Sequence, residues 1–244
     1  MKVIKHTTDV CIIGFGSAGM RAYRAAKKAG KQVLIVHDGP YGTSCARSGC
    51  MPSKLLIAAA NAAHDASSAE VFGVHPREVV VDEKHVMQRI RNLRDTFVGH
   101  VLEKVETIPE EQRLCGRASF LTDHVIAVGE DVHVEAEAFV IATGSHPRIP
   151  GNFPKDCDRV IVNDDVFDWD ELPRSVAVFG TGVIGMELGQ ALGRLGVRTT
   201  IFGRSGQVSS FSDPDLLAVA GKIFRQELTI YAQPTIHSMT AEDN

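Results

Sequence analysis

Two cysteines stand five positions apart in the stretch Gly42-Thr43-Ser44-Cys45-Ala46-Arg47-Ser48-Gly49-Cys50-Met51-Pro52-Ser53-Lys54, among small residues and ahead of an Ala-rich run. Paired thiols offer disulfide exchange, metal ligation, or nothing beyond packing. A disulfide needs Cα atoms within about 7 Å, whereas five residues of helix separate them by roughly 7.5 Å through rise alone. Bridging requires the chain to distort between the two, which the small residues permit. A bridge made that way is exposed and readily reduced. A zinc half-site has shorter spacing and two further ligands, and no Cys/His cluster follows. A structural disulfide belongs with a secretory signal, which the sequence does not show. Two unrelated buried thiols remain as the plain reading of the spacing.

Elements that position such a pair are legible on both sides. Asp9 to Ile13 reads as a short buried strand, followed directly by Gly14-Phe15-Gly16-Ser17-Ala18-Gly19. A helix from Met20 to Ala29, closed by Gly30, and a strand from Gln32 to Val36 complete a βαβ unit. Glycines at its first turn let the backbone approach a pyrophosphate, which the helix N-terminus stabilises. Where an acid would hold a ribose hydroxyl stand His37 and then Asp38. Further helices are expected over Leu55–Ala69 and Val86–Val105, the arginines at 89, 91 and 94 forming a solvated face. Strands are expected at Leu114–Phe120, Val125–Val128, His133–Glu135 and Ala138–Ala142. Thr143-Gly144-Ser145, then Pro147, Pro150 and Gly151, mark a domain boundary.

A second βαβ unit follows, with its strand at Ser175–Phe179, the turn Gly180-Thr181-Gly182-Val183-Ile184-Gly185, a helix over Met186–Leu195 and a strand over Thr199–Phe202. Its ribose position holds Gly203 with Arg204 next, and an arginine there suits the 2′-phosphate of NADP. Asp215 to Glu227 reads as a later helix. Two such units, each in the strand–turn–helix setting that gives the motif its weight, imply two nucleotides. The expected fold is therefore α/β, with two Rossmann-like βαβ dinucleotide-binding domains.

Composition narrows the function. Hydrophobic residues make up 44% of 244, enough for a proper core, and the formal charge of −4 gives no reason to expect nucleic acid. No apolar run is long enough to span a bilayer, and no metal-ligand spacing occurs. Of the five cysteines, Cys11 lies in a strand and reads as a core residue, while Cys115 and Cys157 stand alone. A soluble, cytoplasmic protein is the expectation.

Together the blocks Gly14–Gly19, Cys45–Lys54, Ala142–Ser145 and Gly180–Glu187 resemble the FAD/NAD(P) pyridine nucleotide-disulfide oxidoreductases, the dihydrolipoamide dehydrogenase branch above all. The resemblance runs from Asp9 to about Leu228. It implies that Gly14, Gly16, Ser17, Ala18 and Gly19 hold the FAD pyrophosphate and that His37 or Asp38 holds its ribose. Gly116 and Ala118 match backbone contacts at the adenine end. Gly42, Thr43, Ser44, Lys54 and the run Ala142, Thr143, Gly144 and Ser145 fall on the flavin side. Gly180, Gly182, Val183, Ile184, Gly185, Glu187, Gly203 and Arg204 fall on the nicotinamide nucleotide. Catalysis would rest on a Cys45–Cys50 redox disulfide, with Cys45 the interchange thiol and Cys50 against the flavin. Lys54 and Glu187 form the ion pair beside it.

The substrate so implied is a dithiol, a lipoyl group in the first instance, and the full-length protein a homodimer. Another NADPH-dependent disulfide or metal reductase on the same scaffold is the alternative within the enzymes. The family also carries a C-terminal half with a dimerisation domain and a His–Glu base, which this sequence does not contain, and His237 is not assigned as that base. The expected division is an FAD-binding domain over residues 1–149 and an incomplete NAD(P)-binding domain over 150–244. A nucleotide-binding remnant without turnover is the rival from another class.

Overall fold

The computed structural model describes residues 3–154 and 157–240. The chain forms two compact units. One comprises the segment ending at Arg47 together with Arg94–His146, and the other comprises Ser48–Leu93 together with the segment from Pro147 onward.

The first unit is built on β1 (Ile4–Ile13), α1 (Ser17–Lys28), β2 (Val33–His37), β3 (Arg113–Cys115), β4 (Ala118–Thr122), β5 (Val125–Val128) and β6 (Val132–Ile141). A four-residue helix α2 (Ser44–Arg47) follows β2. The six strands lie in the order β3-β2-β1-β6-β5-β4. β1 pairs in parallel with β2 and β6, β2 in parallel with β3, and β4–β5–β6 form an antiparallel meander. β2 reads Val-Leu-Ile-Val because both of its faces are covered, as parallel strands require. Leu34 and Val36 pack with Cys11, Ile126 and Val134 on one face. Ile35 packs with Phe15, Val105 and Ile108 on the other, which is the alternation a pleated strand imposes. Ile12 and Ile35 are fully buried, each stabilising the unit by about 2 kcal/mol.

The second unit contains α3 (Cys50–Ser67), the beginning of α4 (Glu83–Glu106), β7 (Ser175–Phe179), α5 (Val183–Arg194), β8 (Arg198–Phe202), α6 (Pro214–Glu227) and β9 (Thr229–Tyr231). β7, β8 and β9 form a parallel sheet in that order. The core joins Leu56 and Ala60 of α3 and Met87 and Ile90 of α4 with Leu188, Ala191 and Leu192 of α5. α6 starts on Asp213, whose carboxylate accepts from the amides of Asp215 and Leu216, with Pro214 at the first helical position.

Three sequence expectations about strands change here. The short strand expected over Asp9–Ile13 begins at Ile4. The strand expected over Leu114–Phe120 divides into β3 and β4 at Gly116 and Arg117. The two short strands expected at 133–135 and 138–142 are one continuous β6. Glu135 and Glu137 point outward while Val134 and Ala136 are buried, so charge on the exposed face hid the continuity of a strand paired to β1 from Ile4↔Val132 to Ile13↔Ile141. Among the described residues no helix is long and apolar enough to cross a membrane.

Candidate active site

The two glycine turns are built alike. Gly14 N–H donates to the Val36 carbonyl at 2.8 Å, and Gly180 N–H donates to that of Phe202 at 2.8 Å. A Cβ on Gly19 would lie 2.1 Å from the Gly14 carbonyl oxygen, and one on Gly185 would lie 2.0 Å from that of Gly180. Each third glycine thus lets a helix start directly against its own strand. A Cβ on Gly16 or Gly182, by contrast, would meet nothing within 4 Å. Neither helix is capped by a side chain at these glycines, so its first N–H groups remain available to an anion. Strand, bare amide turn and helix dipole together fit a dinucleotide pyrophosphate at both places.

Around the first turn stand several of the sequence-predicted residues. Ala142 N–H donates to the Ile13 carbonyl at 2.7 Å, and the Ala142 oxygen would lie 2.4 Å from a Cβ on Gly14. Thr143, Gly144 and Ser145 follow it and are exposed. Gly116 N–H donates to the His37 carbonyl at 3.0 Å, placing the β3–β4 junction at the end of β2. Ala118 opens β4 opposite Val128. Asp38 is exposed, whereas both ring nitrogens of His37 are engaged, with Phe15 N and the Pro40 carbonyl.

The second turn borders a groove of about 1190 Å³ that includes Gly180, Gly182, Val183 and Ile184. Gly203, just after β8, is buried and Arg204, the next residue, is exposed.

Between the two cysteines the helix is interrupted. Cys45 lies in α2, where Thr43 caps the turn through its Oγ1 to Ala46 N at 3.0 Å. Arg47 closes that turn with its guanidinium on the Tyr41 carbonyl. α3 then begins at Cys50, which is exposed. A helix N-terminus favours negative charge on a group placed there. Among the described residues no two cysteines are joined in a disulfide. Cys11 is a core thiol, pushed up to about 12 by burial.

One turn into α3, the Lys54 ammonium contacts both carboxylate oxygens of Glu187, one turn into α5, at 2.7 Å. Seven residues further along each helix a second contact repeats the first: Arg194 donates to Asn61 Oδ1 at 2.8 Å. Arg194 also grips Glu227 of α6 with two bonds, 2.7 and 2.9 Å, and Gln190 adds a third at 3.2 Å. The Arg194 hydrogen bond holds the Glu227 carboxyl below its ordinary range, and Glu227 in turn raises the guanidinium. Sequence reasoning did not single out Asn61, Gln190, Arg194 or Glu227. For Asn61 and Arg194 the signal was the spacing of seven from Lys54 and from Glu187, two helical turns, which keeps both contacts on one helical seam; Gln190 and Glu227 carried none.

Fold and site define an α/β protein with two dinucleotide turns and a pair of thiols ahead of a helix locked to the second turn. Residues 8–244 match the family model described as pyridine nucleotide-disulphide oxidoreductase. A mercuric reductase of Streptomyces lividans is 32% identical over 241 residues, covering 95% of this chain and 50% of that protein. A dihydrolipoyl dehydrogenase of Chlamydia muridarum is 30% identical over 216 residues, covering 85% and 45%. The HOCl-induced flavoprotein disulfide reductase RclA of Escherichia coli, as a Cu(II) complex, shares the fold with a TM-score of 0.77 at 23% identity, over 98% of this chain and 52% of that one. The chain belongs to the pyridine nucleotide-disulphide oxidoreductase family, and spans about half the length of the curated relatives it matches.

Proposed function

We propose that the chain carries the electron-entry half of an FAD-dependent dithiol–disulfide oxidoreductase acting with NAD(P). The observation that carries this reading is the Lys54–Glu187 pair: the helix that starts at Cys50 is tied, one turn in, to the helix that starts at the second nucleotide turn. In this reading residues 1–149 form the FAD-binding domain and residues 150–244 the nicotinamide nucleotide domain. The Gly14–Gly19 turn, Asp38, Gly116, Ala118 and Ala142–Ser145 hold FAD; Gly180–Gly185, Gly203 and Arg204 hold the nicotinamide nucleotide.

Cys45 and Cys50 work as a disulfide. A substrate thiolate attacks the Cys45 sulfur, the S–S bond breaks, and Cys50 departs as a thiolate. The second substrate thiol, losing its proton, displaces Cys45 from the mixed disulfide, so the substrate leaves oxidised and the protein pair holds two electrons. Lys54 keeps a cation close to where negative charge accumulates, and Glu187 orients it. When bound, FAD supplies the two-electron acceptor for the thiol pair and the donor to NAD(P). A lipoyl-type dithiol is the substrate and a homodimer the assembly. A metal or disulfide reductase using NADPH is the second reading, favoured by exposed Arg204 beside the ribose position and by the likeness to a mercuric reductase.

The test is a visible spectrum of the FAD-loaded chain under anaerobic dithiol. Long-wavelength absorbance is expected from a thiolate against the flavin, and its loss in Cys50→Ser with FAD still retained. Persistence of the band in that variant, or failure of the chain to retain FAD, refutes the reading.

A further inference from the structure

We propose that His37 acts as a neutral imidazole that positions the first glycine turn, so that nucleotide affinity there falls as the ring takes up a proton. The proposal rests on the reading that the Gly14 turn holds a nucleotide.

The ring's hydrogen bonds admit one protonation state. Phe15 N–H donates to Nδ1 at 3.2 Å, and Nε2 lies 3.1 Å from the Pro40 carbonyl oxygen. A backbone amide can only donate and a carbonyl can only accept, so Nδ1 is bare and Nε2 carries the hydrogen. Both nitrogens are then used within the protein, and the residue at the ribose position has no ring atom left for a hydroxyl. Exposed Asp38, one place later, is the acid left for that task.

The imidazole is clamped in this role. It stacks on Tyr41 at 4.9 Å and 22°, and Tyr41 meets Phe15 edge-on at 6.3 Å. Phe15 itself is 1% exposed, so an amide left without an acceptor at this residue is costly. The second turn shows what is particular to the first. By their strand contacts His37 corresponds to Gly203, and Phe15 corresponds to Thr181. A Cβ on Gly203 would lie 2.6 Å from the Ala232 oxygen and 2.8 Å from Thr181 Oγ1. No side chain fits there. The two turns share their glycine contacts, and the imidazole brace belongs to the first alone.

Protonation at Nδ1 sets N–H against N–H at Phe15, between the two glycines whose amides shape the turn. The other groups near the ring are Tyr41 stacked on it, Cys115 at the paired position of β3, and Asp38 next in the chain, while Arg113, paired with Ile35, acts on Tyr41. Burial pushes the Tyr41 phenol up, with Arg113 lowering and Cys115 raising it, so it stays neutral in acid.

The experiment measures FAD affinity of the whole chain from pH 8.5 to 5.5, where imidazoles titrate and the FAD diphosphate does not change charge. The expected result is an acid limb in which Kd rises up to about tenfold per pH unit, the slope of one proton. His37→Gln, whose amide can accept from Phe15 and donate to Pro40, is expected to lose that limb; His37→Leu is expected to bind more weakly at every pH. Ring nitrogen NMR at pH 8 is expected to show the Nε2–H tautomer. An Nδ1–H tautomer, a flat wild-type profile, or a limb retained in His37→Gln overturns the proposal. No FAD binding at any pH refutes the nucleotide assignment and the pH-linked affinity with it, and the tautomer then decides the brace separately.

Discussion

Replacing Arg194 by Met removes the second tie of the α3–α5 seam. Arg194 is 20% and Glu227 28% exposed, and their carboxylate–guanidinium contact is bidentate at 2.7 and 2.9 Å. An exposed pair would contribute under about 1 kcal/mol, whereas charge-assisted hydrogen bonds away from water contribute roughly 1.5–3 kcal/mol. The variant also strips Asn61 Oδ1 of its donor. A loss of about 2 kcal/mol follows, which at a urea slope near 2 kcal/mol/M lowers the midpoint by about 1 M. Trp169, the chain's one tryptophan, packs against the same core and reports the transition by fluorescence. Glu227 is depressed in the folded state, so its contribution is present above the unfolded carboxylate value of about 4.3 and is lost as pH falls through the folded one. The difference between wild type and Arg194→Met therefore shrinks from pH 7 to pH 3. Glu227→Gln is expected to match the arginine variant at pH 7, and the double variant to cost little more than either. Additive losses, or a difference as large at pH 3 as at pH 7, would refute the reasoning.

Gly16→Ala is expected to leave thermal stability within about 0.5 kcal/mol, because its Cβ meets open space, yet to weaken nucleotide binding at that turn. Gly19→Ala, driven into the Gly14 carbonyl, is expected to lower stability by about 1–3 kcal/mol, as read by thermal unfolding. Lys54→Met is expected to cost less than about 1 kcal/mol, since its side chain is 57% exposed, while dithiol-driven reduction of bound FAD slows far more, as stopped-flow absorbance will show. After anaerobic reduction, alkylation at pH 8 is expected to modify exposed Cys50 and Cys115 well before Cys11, whose thiol is raised to about 12 by burial; peptide mass mapping over time reads the order.

How much was legible follows from how local each feature is. The turns at Gly14 and Gly180 depend on residues within one strand–turn–helix, and the absence of side chains is itself the message, so their types and spacing were enough. β5 and β7 stand at the residues expected of them, because apolar residues bounded by turns specify short strands. The break between Cys45 and Cys50 was permitted by the small residues around them, and the fold placed it there. β6 was read as two short strands because its glutamates interrupt the apolar pattern on the face that does not count toward the core.

The sequence by itself determined where a backbone can turn against an anion, where thiols stand and which helices run between them. Only the tertiary structure decided what those residues touch. Arg194, Asn61 and Glu227 are ordinary polar residues on three helices until packing brings them to hydrogen-bond distance. His37 stands where an acid would bind ribose, and its occupation by Phe15 and Pro40 depends on how β2 lies under the turn. Hydrogen bonds are short-ranged and directional, so residue type names a capacity to bond, and the fold selects the partner.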